Sequence, residues 1–363
     1  MDIMDYLHWR SDLSFDERPY NELDAVAFCA LGYEILDDVF KEKAVMTLDE
    51  VADLFFQMHD EMELKKRMSV SARSYEVLKA MRHTKRYGSL VIAGYVSEID
   101  HSLDLQFSAM TLIHKGKWKA VIFRGTDDTV TGWKEDFSML YRDEVLAQRK
   151  AVEYMSEITK DESLINRLFV KMDYYVAGHS KGGNLAMYAC AHVSESVQKR
   201  IKRIDNFDGP GFRPEVWKTP SMKSILPVMH TYLPGDSFFG RMFANNSEKI
   251  LVRSDKNGLM QHDLYNWQVN VDSLVRIKAF EESSDKAVFK LNELIKDHTE
   301  AELQEIVEST FTLTETLGLI QISDVTKVDL MKAVKALKEL NALDNKTKRV
   351  LIELVGVLLN LTF

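Results

Sequence analysis

Residues Gly178-His179-Ser180-Lys181-Gly182-Gly183 stand between an apolar strand-like run, Met172 to Ala177, and an Ala-rich helix-like run, Asn184 to His192. Strand, glycine, serine, glycine, helix in that order forces a serine hydroxyl onto a sharp turn at the top of a sheet. Such a turn holds its serine in a strained backbone conformation, so the flanking positions must lack side chains that would collide with the incoming strand or the outgoing helix. Gly178 and Gly182 meet that demand. A helix starting just after Ser180 directs backbone N–H groups, that of Lys181 first, at the place where an oxyanion would form. The plainer alternative is a strand-to-helix turn with a serine near the N-cap. The patterns on both sides favour the nucleophile.

A serine nucleophile of this kind needs an acid and then a histidine after it in the chain. His192, His230, His262 and His298 follow Ser180. His192 falls on the nucleophile helix, His298 in a charged helical stretch, and His230 opens a strand-like run, which leaves His262 as the base. Three further strand-like runs follow the elbow: Arg203 to Phe207, His230 to Leu233 and Ile250 to Arg253. Asp236 lies just past the second and His262 just past the third, where open α/β sheets collect catalytic groups. Asp236 is the expected orienting acid, with Asp208 of Phe207-Asp208-Gly209-Pro210-Gly211 in reserve and Asp255 a weaker reserve. The Gly-Pro-Gly setting of Asp208 reads first as a tight turn.

Upstream, Ala120 to Phe123 is an apolar strand running into Arg124-Gly125-Thr126. It is paired with Leu105 to Ile113 through the hairpin His114-Lys115-Gly116-Lys117. That loop is in the right place to supply the second oxyanion donor. The turn continues as Asp127-Asp128, and Trp133 and Asp136 open the next helix.

These elements, Phe123-Arg124-Gly125-Thr126, Trp133-x-x-Asp136, Gly178-His179-Ser180-x-Gly182-Gly183, Asp236, and His262 with Trp267, resemble the class 3 (fungal-type) lipases. Ser180-Lys181-Gly182-Gly183-Asn184-Leu185-Ala186 and Phe207-Asp208-Gly209-Pro210-Gly211-Phe212 are more similar still to the bacterial Mbeg-like proteins grouped with them. The resemblance covers roughly residues 88 to 270. It implies an α/β-hydrolase fold with a mostly parallel sheet and a triad of Ser180, Asp236 and His262. It also implies that Thr126 forms half of the oxyanion hole, opposite the N–H of Lys181.

The length of 363 residues suits one α/β catalytic domain with extra helices. The expected division is 1–87 as an N-terminal helical segment, 88–270 as the catalytic core and 271–363 as a C-terminal helical extension. A formal net charge of −9 argues against nucleic acid as a main partner. The basic cluster Lys199-Arg200-Ile201-Lys202-Arg203 is read as the end of the nucleophile helix, where cations offset the dipole. Cys29 and Cys190 are expected as buried free thiols. The start Met1-Asp2-Ile3-Met4-Asp5 lacks a signal-peptide pattern, and no run reaches the roughly 18 apolar residues that span a bilayer, so a cytoplasmic location is expected. The His-Glu-x-x-His, P-loop and paired Cys-x-x-Cys motifs are absent, so no cofactor or metal is expected.

Residues 21 to 40 and 47 to 83 read as helices covering the sheet. The second starts with the capping-box pattern Thr47-Leu48-Asp49-Glu50 and carries the stripe Val51, Leu54, Phe55, Met58 and Met62. In the tail, Thr299-x-x-Glu302 caps a helix with Leu303, Ile306 and Val307 on its apolar face. Val328, Met331, Val334 and Leu337 form another stripe, and Val350 to Leu361 is apolar nearly all round. The tail is read as a helical subdomain docked on the core, with a partner-binding or homo-oligomer module as the alternative. Phe238, Phe239 and Phe243, after Asp236, and Met139 with Leu140 and Tyr141, after the oxyanion loop, are candidates for an acyl pocket or lid. A short amphipathic helix using Phe239, Met242 and Phe243 as core is the rival reading. The function expected is hydrolysis of a carboxylic ester or thioester by a serine hydrolase. An acyltransferase with the same triad and a non-catalytic binding protein on the same scaffold are the alternatives.

Overall fold

The computed structural model describes residues 1–67, 72–127, 129–160, 172–281, 285–318 and 348. Among them the central sheet has eight strands, ordered across the sheet as along the chain. They are β1 (Val45–Thr47), β2 (Val91–Asp100), β3 (Leu105–His114), β4 (Trp118–Phe123), β5 (Asp173–His179), β6 (Ile201–Phe207), β7 (Met229–Pro234) and β8 (Glu248–Val252). β3 and β4 form the expected antiparallel hairpin, in register from Ala109 opposite Phe123 to His114 opposite Trp118. β4 to β8 are parallel throughout. This is an α/β-hydrolase architecture, with the strand ends after β5, β6, β7 and β8 collected on one edge of the sheet.

Strands covered on both faces read as apolar runs, and every residue of β4 is buried. Period-two alternation still sorts the faces. Ala120 and Ile122 join the core built with the N-terminal helices. Phe123 packs its ring on Tyr154 of α7 (Leu146–Lys160) at 5.9 Å.

The expected helix over 21–40 is shorter, running Glu22–Leu31 (α2) after α1 (Ile3–Arg10). Gly32 caps its end, and Asn21 and Asp24 form a capping box at its start. Every residue of α2 is buried. Its two leading acids are therefore paired. Asp24 meets Arg86 in an ion pair fully shielded from solvent, joined by the Tyr6 and Tyr87 hydroxyls. Glu22 accepts from Arg276 and from the Tyr232 hydroxyl.

The single helix expected over 47–83 is broken. The Thr47–Glu50 capping box does start α3 (Leu48–Met58), but His59 is extended and Asp60 caps a new short helix, α4 (Glu61–Leu64), with α5 following at Ser74–Met81. Its stripe splits accordingly: Val51 and Phe55, one i,i+4 pair, are buried, while Leu54, Met58 and Met62 are exposed.

The basic cluster is also placed differently. Lys199 and Arg200 form the turn before β6, and Ile201 to Arg203 lie in β6 itself. There Lys199 pairs with Glu195, Lys202 with Asp173 and Arg203 with Asp205. Cys29 and Cys190 are buried free thiols, as expected. Burial pushes both thiols well up from the ordinary cysteine value.

The chain divides into two compact units. The first, residues 1–98, 107–125 and 147–285, holds most of the sheet and the N-terminal helices. The second comprises 99–106, 126–146 and 286–363. Its described part contains α6 (Val130–Ser138), the Asp285–Asp297 helix from Lys286 onward and the Glu300–Thr316 helix. Phe137 of α6 meets Phe311 with ring centroids 6.0 Å apart, and Lys134 pairs with both Asp104 and Glu308. The Thr299–Glu302 capping box is formed, and Leu303, Ile306 and Val307 are buried as expected. His298 lies in the break between these two helices. The stripe Val328, Met331, Val334 and Leu337 and the segment 350–361 lie outside the described residues. Among the described residues no helix is long and apolar enough to cross a membrane.

Candidate active site

Ser180 sits between β5 and the Lys181–His192 helix (α8) with φ 56° and ψ −133°. A non-glycine residue in that region is strained, and such strain persists only where the surroundings enforce it. Here they do. The Ser180 N–H donates to the Phe207 carbonyl at 2.9 Å, and the Ser180 carbonyl accepts from Gly183 at 2.9 Å. A Cβ on Gly178 would overlap the Gly182 carbonyl, and one on Gly182 would overlap the carbonyl of Phe123 on β4. These close backbone approaches are why the motif needs glycine on both sides of the serine. Lys181, the first residue of α8, is fully buried.

The upstream loop comes to the same place. A Cβ on Gly125 would collide with the Tyr33 hydroxyl and the His179 carbonyl and would stand 3.0 Å from the Ser180 Cβ. Thr126 follows Gly125, and its hydroxyl donates to the Asp136 carboxylate of α6. Both residues of the Thr126 and Trp133-x-x-Asp136 pattern are thereby linked within the second unit.

His262 ends a 3-10 turn, Gly258–His262, after β8. Its Nδ1 lies 2.7 Å from Oδ2 of Asp208. The acid at the histidine is therefore Asp208, held in reserve by the sequence reading, and not Asp236. Strand order alone does not choose between them, because the His262 turn follows β8 and its imidazole reaches back past β7. Asp208 follows β6, the direct neighbour of β5, whereas Asp236 follows β7, one strand farther out. Asp208 is fully buried with φ 51°. Its Oδ1 accepts from the Ser237 hydroxyl at 2.5 Å and the Gly240 N–H at 3.2 Å. Asp236 is buried too, but its Oδ2 accepts from the Gly258 N–H at 2.9 Å. Asp255 is on the surface, with its side chain accepting from Gln268.

A carboxylate on Nδ1 keeps the proton there and leaves Nε2 as the basic nitrogen. Among the described residues the hydrogen bond of the His262 ring is this one, and its carbonyl accepts from Nε2 of His179 at 2.8 Å. None links it to the Ser180 hydroxyl. Since a carbonyl only accepts, His179 carries its proton on Nε2, and its Nδ1 accepts from the Tyr33 hydroxyl at 2.8 Å. Burial, and then the neighbouring His262, hold the His179 value well below the ordinary histidine range, so it is neutral. Its ring lies against that of His262, centroids 4.5 Å apart. The sequence reading did not assign His179 a role. It is the variable position of G-x-S-x-G, and nothing in the linear motif shows that its side chain turns back to the histidine loop.

On its other side, the His262 ring meets Phe239 at 4.4 Å. Phe239 opens a 3-10 turn, Phe239–Arg241, with Phe238 buried before it. Phe243 is half-buried with φ 63°. The amphipathic helix offered for this segment is thus a single tight turn. Met139, Leu140 and Tyr141 are buried in the second unit, where the Tyr141 hydroxyl donates to Glu308 at 3.2 Å. The remaining histidines are elsewhere: His192 accepts nothing from the site and bonds the Tyr188 carbonyl, and His230 pairs with Glu248.

Among solved structures, a fungal lipase structure is 12% identical with a TM-score of 0.43, covering 73% of this chain and 90% of that one. A fungal lipase–inhibitor complex gives 11% identity and a TM-score of 0.40, covering 63% and 77%. A mutant of the Penicillium cyclopium protein MDLA gives 10% and 0.39, covering 73% and 90%. No curated protein matches the sequence. The profile of the Mbeg1-like family matches residues 81–312, which include β4 to β8, Ser180, Asp208, Asp236 and His262. By that match the chain belongs to the Mbeg1-like family.

Proposed function

We propose that this protein is a serine hydrolase that cleaves a carboxylic ester or thioester through an acyl-enzyme, with Ser180 as nucleophile, His262 as base and then acid, and Asp208 as orienting carboxylate. The observation that carries the reading is the His262–Asp208 hydrogen bond beside a serine held on a strained strand-to-helix turn. Asp208 fixes the tautomer that leaves Nε2 available, and stabilises the imidazolium formed when the serine proton moves. The N–H of Lys181, at the positive end of α8, is an oxyanion donor. Free-state hydrogen bonds of catalytic groups are often open and tighten only with substrate, which accommodates the missing Ser180–His262 bond. Phe239, with Phe238 and Phe243 on the same segment, suits the acyl side of the substrate, since its ring already lies against the base.

A series of p-nitrophenyl esters of increasing acyl length tests this. Wild type is expected to release p-nitrophenol with a burst of acyl-enzyme, and Ser180→Ala to fall to background. Equal turnover by both proteins contradicts the assignment.

A further inference from the structure

The segment just after β7 touches the base and the acid at once. Asp236 accepts the Gly258 N–H at 2.9 Å, at the start of the turn that carries His262, where Gly258 takes φ 57°. The Asp236 N–H donates to the Gln261 side-chain oxygen at 2.9 Å, one residue before the base. The Gln261 amide donates in turn to Glu281 at 3.0 Å, and the Glu281 N–H returns to the Gly235 carbonyl at 2.8 Å. The Trp267 indole holds the Gln261 carbonyl at 2.7 Å. One residue after Asp236, Ser237 donates to Asp208.

We propose that Asp236 is a positioning residue: it clamps both ends of the Gly258–His262 turn, while Ser237 fixes the carboxylate that His262 must meet. This rests on the hydrolase reading for its kinetic consequence, but the clamp itself is a property of the fold. It separates two carboxylates that look interchangeable in sequence. Asp208 acts through charge on an imidazole, so an amide cannot replace it. Asp236 acts as an acceptor for a backbone N–H, which an amide oxygen can still be.

Three variants of the full chain test it. Asp236→Asn is expected to keep kcat within about threefold, since the acceptor is retained. Asp236→Ala is expected to lose about 100-fold in kcat with little change in KM, the size of effect a displaced catalytic group produces. Asp208→Asn is expected to lose about 10⁴-fold. Hydrogen exchange of the Gly258 amide should be slow in wild type and Asp236→Asn and fast in Asp236→Ala. The low-field Nδ1–H proton resonance of His262 should survive Asp236→Asn and vanish in Asp208→Asn. The proposal is overturned if Asp236→Asn abolishes that resonance and activity while Asp208→Asn keeps them, or if Gly258 exchange is the same in all variants. If wild type turns over no ester, the hydrolase reading fails alone, and the exchange and resonance measurements still decide the clamp.

Discussion

Asp24 and Arg86 lie buried among N-terminal elements, and Ser180 and Asp208 lie buried at the strand ends with His262 half-buried beside them, yet the two clusters are satisfied in opposite ways. Arg86 spends its guanidinium on both oxygens of Asp24 and on the carbonyls of Leu13, Ser14, Arg18 and Pro19, and Tyr6 and Tyr87 complete the acid. At the site, Ser180 and Asp208 both hold positive φ, and His262 is anchored at Nδ1 and at its carbonyl while its second ring nitrogen meets no described hydrogen-bond partner. A buried ion pair that is complete on every side resists change and does nothing else. A buried constellation held rigidly but left one bond short is ready to take a proton.

The largest expected effect breaks the site and spares the fold. Ser180→Ala should lower kcat/KM by at least about 10⁴-fold, as loss of a triad nucleophile does, with a melting temperature within a few degrees of wild type. Asp208→Asn should come close to it, at about 10⁴-fold, again with a normal thermal transition. The N-terminal cluster should do the reverse. Arg86→Met leaves Asp24 buried without its cation and is expected to cost about 3–5 kcal/mol of stability, read from the urea midpoint, while the folded fraction keeps wild-type turnover. A loss of turnover per folded molecule in Arg86→Met would erase the distinction between the clusters.

The smallest effect is in pH and sits on His179, which joins the Tyr33 hydroxyl to the His262 carbonyl. Its folded value is depressed by burial, so as pH falls through the ordinary histidine range near 6.5 the unfolded chain takes up the proton first. The stability His179 contributes is therefore present above that range and is lost on acidification. The stability gap between wild type and His179→Gln should be widest near pH 8 and narrow towards pH 5. A gap that widens on acidification would mean that His179 is charged in the folded protein.

The elbow, the hairpin before it and the succession of parallel strands were legible in sequence because each is a local pattern: apolar run, glycine, helix. The orienting acid was not. Asp208 and Asp236 both follow strands, and choosing between them requires knowing that the His262 ring reaches the carboxylate after β6 while the one after β7 is engaged by the Gly258 N–H. The Gly-Pro-Gly after Asp208 also disguised it as a turn residue. His179 was hidden for a similar reason, since its two partners, Tyr33 and the His262 carbonyl, are remote in the chain. The break in the helix expected over 47–83 did leave a signal. Asp60 before Glu61 and Glu63 is an N-cap pattern that a reading of the apolar stripe alone passes over.

The most direct test of the central claim is intact mass after exposure to a fluorophosphonate. Wild type should gain a single adduct that maps to Ser180, more slowly in Asp208→Asn and at nearly the wild-type rate in Asp236→Asn, with Ser180→Ala unlabelled. An unlabelled wild type, or an adduct that persists in Ser180→Ala, would contradict it.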